Sequence, residues 1–171
     1  TDHHKCNQVR GPDDTKYIHN ELFDMVFYRL SIVGLKDGMQ PFQHNNVTYM
    51  CNGEIYNYKE LALKHNIQQN THSDCEIIGL LYQKYGIIET VRMLSGEFAF
   101  ILYDHIKGLV HFARDYIGRK GLYYSVEKNN NDNKLENLEI SSLVSGINNT
   151  NVHHVLPRYV YTYDMTHKIL S

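Results

Sequence analysis

The sequence predicts an α+β fold in which most strands pair antiparallel, and three observations support this prediction. The 171 residues, 42% hydrophobic and 21% charged, are enough for one domain with an apolar core. Helical patterns cluster in the middle of the chain, between residues 58 and 94. β-branched and aromatic runs precede and follow them, and two of these runs are separated only by a short turn, which is typical of a hairpin. This grouping of elements indicates the α+β class.

The part of the chain before the helices is predicted to contain two strands. The first twenty residues are polar and carry a turn signal at residues 11–14. Residues 25–33 are the first β-branched and aromatic run, and residues 47–51 are the second. The second run leads into Asn52 and Gly53, after which an apolar pattern continues. Taken locally, an Asn-Gly pair between apolar runs is the strongest signal for a tight hairpin turn.

The middle of the chain is predicted to be helical. Residues 58–65 have the pattern of a short amphipathic helix. The Ser-Asp-Cys-Glu segment at residues 73–76 predicts a capping box, in which the serine and the glutamate each satisfy an early helix N–H group. The helix that starts there extends to residue 85, where Gly86 supplies a stop, and residues 87–94 add a further helical stretch.

The last part of the chain is predicted to return to strands. A polar, asparagine-rich tract at residues 128–134 indicates an exposed loop, and residues 143–147 indicate a short helical turn. The predicted strands cover residues 97–104, 109–114, 122–126, 138–140 and 159–163.

Composition excludes several classes of function. The formal net charge is -2 and no Lys/Arg stripe is visible, so binding to nucleic acid is not expected. The longest apolar run, residues 98–103, is far too short to span a bilayer, and no charged-then-apolar leader opens the chain. The sequence therefore predicts a soluble, cytoplasmic single domain over residues 1–171, without a membrane partner.

Cysteine and histidine usage does not favour a metal site. The three cysteines, Cys6, Cys51 and Cys75, show no CxxC spacing, so neither a disulfide framework nor a zinc knuckle is expected. Eleven histidines include two adjacent pairs, at residues 3–4 and 153–154. Adjacent residues on a strand point to opposite faces, and no third ligand stands at a suitable spacing. We therefore expect solvated imidazoles and no bound metal.

Seven motifs occur in order between residues 10 and 118, and Leu-Tyr-Tyr at 122–124 closes the series. The motifs are Arg-Gly-Pro-Asp at 10–13, Arg-Leu-Ser-Ile at 29–32, Gln-Pro-Phe at 40–42, Asn-Gly-Glu-Ile-Tyr-Asn-Tyr at 52–58, Ser-Asp-Cys-Glu at 73–76, Leu-Ser-Gly-Glu-Phe-Ala-Phe at 94–100 and Ala-Arg-Asp-Tyr-Ile-Gly at 113–118. Together they resemble the glutaminase domain of class II glutamine amidotransferases, and most closely that of asparagine synthetases. Amidotransferases that make amino sugars or purine precursors differ around the Arg and Asn-Gly motifs.

The resemblance implies a fold and an activity. The fold would be the four-layer αββα sandwich of N-terminal nucleophile hydrolases, with two antiparallel sheets between helical layers. The activity would be hydrolysis of L-glutamine, with delivery of ammonia to an asparagine synthetase-type acceptor site on a separate domain or chain. No cofactor would be needed in this domain. ATP and magnesium would belong to a synthetase domain, whose Ser-Gly-Gly-x-Asp-Ser loop does not occur here.

The resemblance also implies roles for five residues. Asn52 and Gly53 would form the oxyanion hole, through the side-chain amide of the first and the backbone N–H of the second. Arg29 would hold the α-carboxylate of glutamine. Asp74, with the backbone around Gly53 and Glu54, would hold the α-ammonium group. The simpler alternatives are a hairpin turn at Asn52-Gly53, a surface arginine on a strand, and a favourable aspartate charge in a first helical turn.

The nucleophile of the family has no counterpart in this sequence. By the resemblance it is an N-terminal cysteine followed by Gly-Ile, whose α-amino group acts as the base. Here residue 1 is Thr1, and Cys6 stands only four residues before Arg10, too close to end a buried first strand. Three explanations remain: an N-terminal segment is missing, the domain is an inactive relative, or Thr1 is itself the nucleophile. The first is favoured, and the third fits poorly because the polar start of the chain is not strand-like.

Two other functions are kept as alternatives. A catalytically inactive, amidotransferase-like module could bind glutamine or a protein partner. A metal-dependent hydrolase that uses the histidine pairs is more remote.

Overall fold

The computed structural model of the chain describes residues 3–30, 37–129 and 135–171. Within these ranges the chain forms eleven strands, two α-helices and short 3-10 segments. The helices are α1 (Tyr58–Lys64) and α2 (Ile77–Met93). The strands are β1 (Asp14–His19), β2 (Asp24–Arg29), β3 (Phe42–His44), β4 (Val47–Ile55), β5 (Gly96–Asp104), β6 (Leu109–Arg114), β7 (Tyr123–Lys128), β8 (Leu135–Ser141), β9 (His153–His154), β10 (Val160–Asp164) and β11 (Ile169–Leu170).

The largest sheet has six strands in the order β11-β10-β6-β5-β4-β3, and every neighbouring pair is antiparallel. Strands β4 and β5 form its centre and pair over nine positions, from Val47 opposite Asp104 to Ile55 opposite Gly96. Almost every residue of β5 is buried, as expected for a strand with both faces covered. The predicted hairpin of β5 and β6 is confirmed.

Both helices cover one face of this sheet. Side chains of alternating residues in β4 and β5, among them Tyr49, Phe100 and Leu102, pack there against Ile78 and Leu81 of α2. These five side chains are completely inaccessible to solvent. Burying each large apolar side chain stabilises the fold by roughly 1.5–3 kcal/mol before the opposing entropy is counted. This helix-side core is the main apolar core of the domain.

The opposite face of the six-stranded sheet packs against a smaller sheet with the order β8-β7-β9. Phe112 of β6 lies against Tyr124 of β7, with ring centroids 5.6 Å apart. Leu122 and Val155 complete this second core, to which Met25 of β2 also belongs. Strands β1 and β2 form a separate antiparallel pair. The predicted α+β class with two antiparallel sheets packed together is confirmed, and both α-helices lie outside the larger sheet.

The local predictions around the helices and the Asn-Gly pair had different outcomes. The capping box is wrong: Ser73 makes no side-chain cap, and the Glu76 carboxylate bonds instead to Asn70 and Thr71. The stop at Gly86 is confirmed, because its φ of 77° and ψ of 175° are non-helical and divide α2 into two helical stretches across a kink. The hairpin turn that Asn52-Gly53 favours locally, the alternative to the oxyanion hole, does not form, because β4 continues through both residues.

The strand predictions were incomplete at the edges of the sheets. Strands β1, β3, β9 and β11 were not predicted, since they are short or polar. Residues 31–33 of the first predicted strand and residues 130–134 of the predicted loop lie outside the described ranges. The predicted helical turn near residue 145 is a 3-10 segment, Val144–Gly146.

In the described part of the chain, no helix has the length and apolar character needed to cross a membrane.

Candidate active site

A cavity of about 1360 Å³ lies beside the second face of the six-stranded sheet. Its lining includes all five residues to which the sequence assigned a role: Arg29, Asn52, Gly53, Glu54 and Asp74. They come from three separate elements, namely the end of β2, the second half of β4, and the 3-10 turn before α2. The fold therefore brings together residues that are distant in sequence.

The backbone of β4 has one edge on β5 and one edge that is only partly paired. Asn46 and Tyr56 bond to His105 and Ser95 at the two ends of the β4–β5 ladder, at 2.8 Å each. By the alternation of an antiparallel ladder, the even-numbered residues between them bond to β5, and the odd-numbered residues face the other edge. The pairing of β3 on that edge reaches only as far as Tyr49.

Side chains take the place of a strand along the rest of this edge. The Cys51 N–H donates to Gln40 Oε1 at 2.6 Å, and Gln40 Nε2 donates back to the Cys51 carbonyl at 3.0 Å. The Ile55 N–H donates to Asp74 Oδ2 at 2.6 Å, and the Cys75 thiol donates to the Gly53 carbonyl at 3.5 Å. One group between these contacts, the Gly53 N–H, has no acceptor among the described residues.

Only glycine fits at position 53. Its φ is 143°, and a Cβ atom there would lie 2.0 Å from the Glu97 carbonyl oxygen and 2.6 Å from the Phe98 Cα. Since no side chain covers it, the Gly53 N–H can approach a ligand closely. This is the local arrangement that an oxyanion hole requires.

Asn52 lies on the cavity face of β4. Cys51 and Ile55 belong to the helix-side core, so the alternation of side chains along a strand directs Asn52 and Glu54 to the opposite face. Both are half-buried and line the cavity. Asn52 and Gly53 are therefore neighbouring residues in the wall of the cavity.

Arg29 lies at the end of β2, and only 9% of it is exposed. One of its guanidinium nitrogens, Nη2, donates to the Asp37 carbonyl at 2.9 Å. The Arg-Gly-Pro-Asp motif crosses this strand, with the Asp13 N–H bonded to the Arg29 carbonyl at 3.0 Å. A Cβ at Gly11 would lie 2.2 Å from the Tyr28 carbonyl oxygen, so this close crossing needs glycine. Arg29 is therefore a largely buried arginine that is held in the wall of the cavity by a hydrogen bond, and it is not a surface arginine.

Asp74 is 7% exposed and has a structural as well as a potential binding role. Oδ2 is occupied by the Ile55 N–H, which leaves Oδ1 for a ligand. The preceding loop is held by Glu76, which is completely buried. The Glu76 carboxylate accepts bonds from Asn70 and Thr71 and lies 3.1 Å from His44 Nε2. Sequence reasoning assigned Glu76 to a helix cap and so missed this role.

A set of charges surrounds Glu54. Glu97 lies opposite Glu54 in the ladder and forms ion pairs with Lys120 at 3.0 Å and Arg119 at 3.6 Å. The loop that carries both cations is shaped by Asp115. Burial alone would raise the pKa of Asp115, but the backbone N–H groups that donate to its carboxylate hold this pKa below the ordinary value. The loop is therefore held by an ionised carboxylate.

Cys75 is a poor nucleophile in this arrangement. A hydrogen bond between the Cys75 and Cys51 side chains, together with burial, raises the pKa of Cys75 well above its ordinary value. Cys6 lies in the 3-10 segment His3–Arg10, of which Asn7 and Arg10, but not Cys6, line the cavity. Thr1 is outside the described residues.

Of the two histidine pairs, the side chains of the pair at residues 3–4 lie outside the described part of the structure. His153 and His154 form β9 and are exposed. Within the described ranges, no group of three His, Cys, Asp or Glu side chains is placed to hold a metal ion.

Comparison with known proteins decides the family. The model of the glutamine amidotransferase domain matches residues 3–167. The chain belongs to this family. The resemblance inferred from the seven motifs is thereby confirmed.

Among curated relatives, this amidotransferase domain is 44% identical over 119 residues to asparagine synthetase [glutamine-hydrolyzing] 2 of Bacillus subtilis. It is 42% identical over 121 residues to a probable asparagine synthetase [glutamine-hydrolyzing] of Acanthamoeba polyphaga mimivirus. The matches cover 68% and 67% of this chain, but only 16% and 22% of those relatives. The domain thus corresponds to about a fifth of their length.

The fold of this amidotransferase domain is similar to that of a solved structure. Glutamine phosphoribosylpyrophosphate amidotransferase from B. subtilis matches with a TM-score of 0.57 and 17% sequence identity. The match covers 77% of this chain and 31% of that chain. At this identity the similarity concerns the fold alone, and it confirms the fold type expected from the motifs.

Proposed function

We propose that this domain hydrolyses L-glutamine and delivers the ammonia to an asparagine synthetase-type acceptor site on a further domain or chain. One observation carries the proposal: the Gly53 N–H, which has no acceptor among the described residues, and Asn52 belong to the wall of a cavity that is also lined by a buried cation and a buried carboxylate. Membership of the glutamine amidotransferase family supports the choice of substrate. The two curated relatives described above are named glutamine-hydrolysing asparagine synthetases, which supports the choice of acceptor.

The two ends of an amino acid would be recognised by opposite charges. The α-carboxylate would bind the Arg29 guanidinium, whose planar donors match a carboxylate. The α-ammonium group would bind Asp74 Oδ1 and the nearby carbonyl groups of β4. These two contacts would place the side-chain carboxamide next to Asn52 and Gly53.

The reaction would then proceed by covalent catalysis. A cysteine thiolate attacks the carboxamide carbon, and the developing negative charge on oxygen is stabilised by the Asn52 amide and the Gly53 N–H. Collapse of this intermediate breaks the C–N bond, and the leaving nitrogen takes a proton and departs as ammonia. Water then hydrolyses the thioester to glutamate and restores the thiol. Every step in this proposal uses protein groups and water, and none requires a metal or cofactor.

We further propose that the nucleophile is an N-terminal cysteine on a strand that precedes the described residues. Its free α-amine would act as the base, which an internal cysteine lacks. The cavity has room for such a strand, because β2 and β8 both line it. Among the described residues, β2 pairs only with β1 and β8 only with β7, so each has an edge available.

Sequencing of the N-terminus of the native protein, combined with a glutaminase assay, tests the proposal. We expect a cysteine as the first residue after methionine removal, and release of ammonia and glutamate in equal amounts, unchanged by a chelator. A native chain that begins at Thr1 and releases no ammonia would overturn the enzymatic function.

The second candidate is a catalytically inactive module that binds glutamine or a protein partner. It is favoured by the burial of Cys51 and Cys75 and by the raised pKa of the Cys75 thiol described above. Calorimetry with L-glutamine on the same sample separates the two functions, because binding without ammonia release supports the module. Absence of both binding and hydrolysis would contradict both functions.

A further inference from the structure

The direction of the Gly53 N–H is not determined by Gly53 itself. Glycine lacks the Cβ atom that restricts φ and ψ in other residues, and the pairing of β3 with β4 ends at Tyr49. An oxyanion donor nevertheless has to point at one position, because a displacement of about 1 Å can reduce turnover a hundredfold. The ladder with β5 holds one edge of this part of β4, and other groups have to hold the opposite edge.

Five backbone groups, from the Cys51 N–H to the Ile55 N–H, face this outer edge, and the hydrogen bonds of four of them identify the side chains that hold it. The Cys51 N–H and carbonyl are both bonded to Gln40, the Gly53 carbonyl to Cys75, and the Ile55 N–H to Asp74. The Gly53 N–H is the fifth of these groups. It lies between the Cys51 carbonyl and the Gly53 carbonyl, which are both held by hydrogen bonds. Its neighbour on the N-terminal side, the peptide between residues 51 and 52, is fixed by Gln40 alone along this edge.

The Gln40 side chain reproduces one residue of a strand. Its carboxamide supplies an acceptor at 2.6 Å and a donor at 3.0 Å to the same residue, as a hydrogen-bonded residue pair of an antiparallel ladder does. Both Gln40, with 6% exposed, and Cys51, with 2%, are shielded from water. Water therefore does not readily replace either bond if the side chain is lost.

We propose that Gln40 is a positioning residue for the oxyanion hole: it extends the edge of β3 by one residue pair and thereby, together with the β5 ladder on the other edge, fixes the direction of the Gly53 N–H. This inference rests on the proposed glutaminase function for its kinetic consequence, but not for its structural one. It predicts that both the donor and the acceptor of the carboxamide are needed.

Two variants of Gln40 and one matched control test the inference. Gln40→Met keeps the length of the side chain but removes both bonds. Gln40→Glu keeps the acceptor for the Cys51 N–H but replaces the donor by a carboxylate oxygen. This oxygen repels the Cys51 carbonyl oxygen until the carboxyl group is protonated and can donate a hydrogen bond. Gln43→Met is the control, because Gln43 lies three residues along the chain, in β3, and is exposed.

The structural consequence is measured by NMR on the ¹⁵N-labelled chain, without any need for activity. In Gln40→Met we expect faster hydrogen exchange of the Cys51 amide. The order parameter of the Gly53 amide should fall from the range of a rigid backbone, about 0.85, toward that of a flexible one, about 0.6. Both values should remain unchanged in Gln43→Met. A rigid Gly53 amide in a folded Gln40→Met protein would overturn the inference.

The kinetic consequence is measured on the native, active protein. For Gln40→Met we expect kcat to fall at least about tenfold while KM for glutamine stays within about twofold, since Arg29 and Asp74 are unaffected. Gln40→Glu should regain activity relative to the wild type as the pH is lowered and the carboxyl group becomes a donor, whereas Gln40→Met should not. An unchanged kcat in Gln40→Met would overturn the inference while leaving the glutaminase function intact. A wild type that releases no ammonia would contradict the glutaminase function, and the NMR result alone would then decide the role of Gln40.

Discussion

The two faces of strand β4 differ in what they contribute to the molecule. Tyr49, Cys51 and Ile55 face the helices and are almost completely buried, whereas Asn52 and Glu54 face the cavity and remain half-exposed. The helix-side face has well-packed apolar neighbours and supplies stability. The cavity face leaves polar groups accessible and supplies chemistry. A single strand can do both because its side chains alternate, so that substitutions on the two faces should have separable effects.

The largest expected effect is on stability and comes from adjacent residues of β5. Leu102 is inaccessible in the helix-side core, whereas Ile101 is 8% exposed and lines the cavity. We expect Leu102→Ala to lower the free energy of unfolding by about 4 kcal/mol and Ile101→Ala by only about 2 kcal/mol, because part of the surroundings of Ile101 is already open. Urea denaturation measures both values. Equal losses would show that the two faces are equally well packed.

The second expected effect is a pH dependence of stability, which should arise from the buried His111 on the helix side and not from the exposed histidines. Burial and the nearby positive charge of Lys107 lower the pKa of His111 to about 4, against a weaker opposing influence of Asp104. His111 contacts Tyr82 and Thr162 and is 4% exposed. The unfolded chain binds a proton on His111 more tightly than the folded chain does. Above pH 6.5 this histidine is mainly neutral in both states, so it should not lower the free energy of unfolding there. Stability should fall by up to about 3 kcal/mol between pH 6.5 and pH 4.

Thermal or urea unfolding across this pH range measures the effect of His111. His111→Gln should flatten the pH dependence, whereas substitution of the exposed His153 should leave it unchanged. A variant without His111 that still loses the same stability over this interval would assign the proton uptake to another group.

A third effect should appear in turnover and not in folding. Asn52→Ala removes a side-chain donor on the cavity face and leaves the helix-side packing of β4 untouched. In the native, active protein we expect kcat to decrease about a hundredfold, or about 2.7 kcal/mol, while glutamine binding changes little. Steady-state kinetics and thermal unfolding on the same sample provide the measurement. Loss of folding with normal turnover would contradict the assignment of Asn52 to the oxyanion hole.

The smallest of these effects is expected in ground-state binding. Arg29→Ala should weaken binding of L-glutamine by about 2–3 kcal/mol, the scale for loss of a charge-assisted pair. Isothermal calorimetry measures it directly. Arg92→Ala is a suitable control, because this arginine pairs with Glu89 on the exposed side of α2, away from the cavity. A similar loss in both variants would indicate a general effect of charge on binding.

Much of the fold was predictable because its signals are local. The hairpin of β5 and β6, the helix α1 and both halves of α2 follow from periodicity and turn residues close in sequence. Strands β1 and β3 were missed because their residues are polar or few, and they become strands only through pairing with β2 and β4. Edge strands of this kind depend on partners that local patterns do not reveal.

The candidate site was predicted as a set of residues, but not as a geometry. The ordered motifs identified Arg29, Asn52, Gly53, Glu54 and Asp74, and the structure places all five on one cavity. Their roles in binding and catalysis remain predictions. Neither the anchoring of the 70–71 loop by Glu76 nor the contact of Gln40 with Cys51 was predicted, since each joins residues from different elements.

By itself, the sequence determined the family, the α+β class and the residues that meet at the cavity, because motif order and hydrophobic periodicity are properties of the chain alone. Only the tertiary structure decided the conformation at Asn52 and Gly53. Locally this pair favours a hairpin turn, yet β5 offers a ladder of nine pairs alongside it, and the chain remains extended. The many hydrogen bonds and buried contacts of that ladder outweigh the preference of a single dipeptide, and they leave Gly53 in the wall of the cavity.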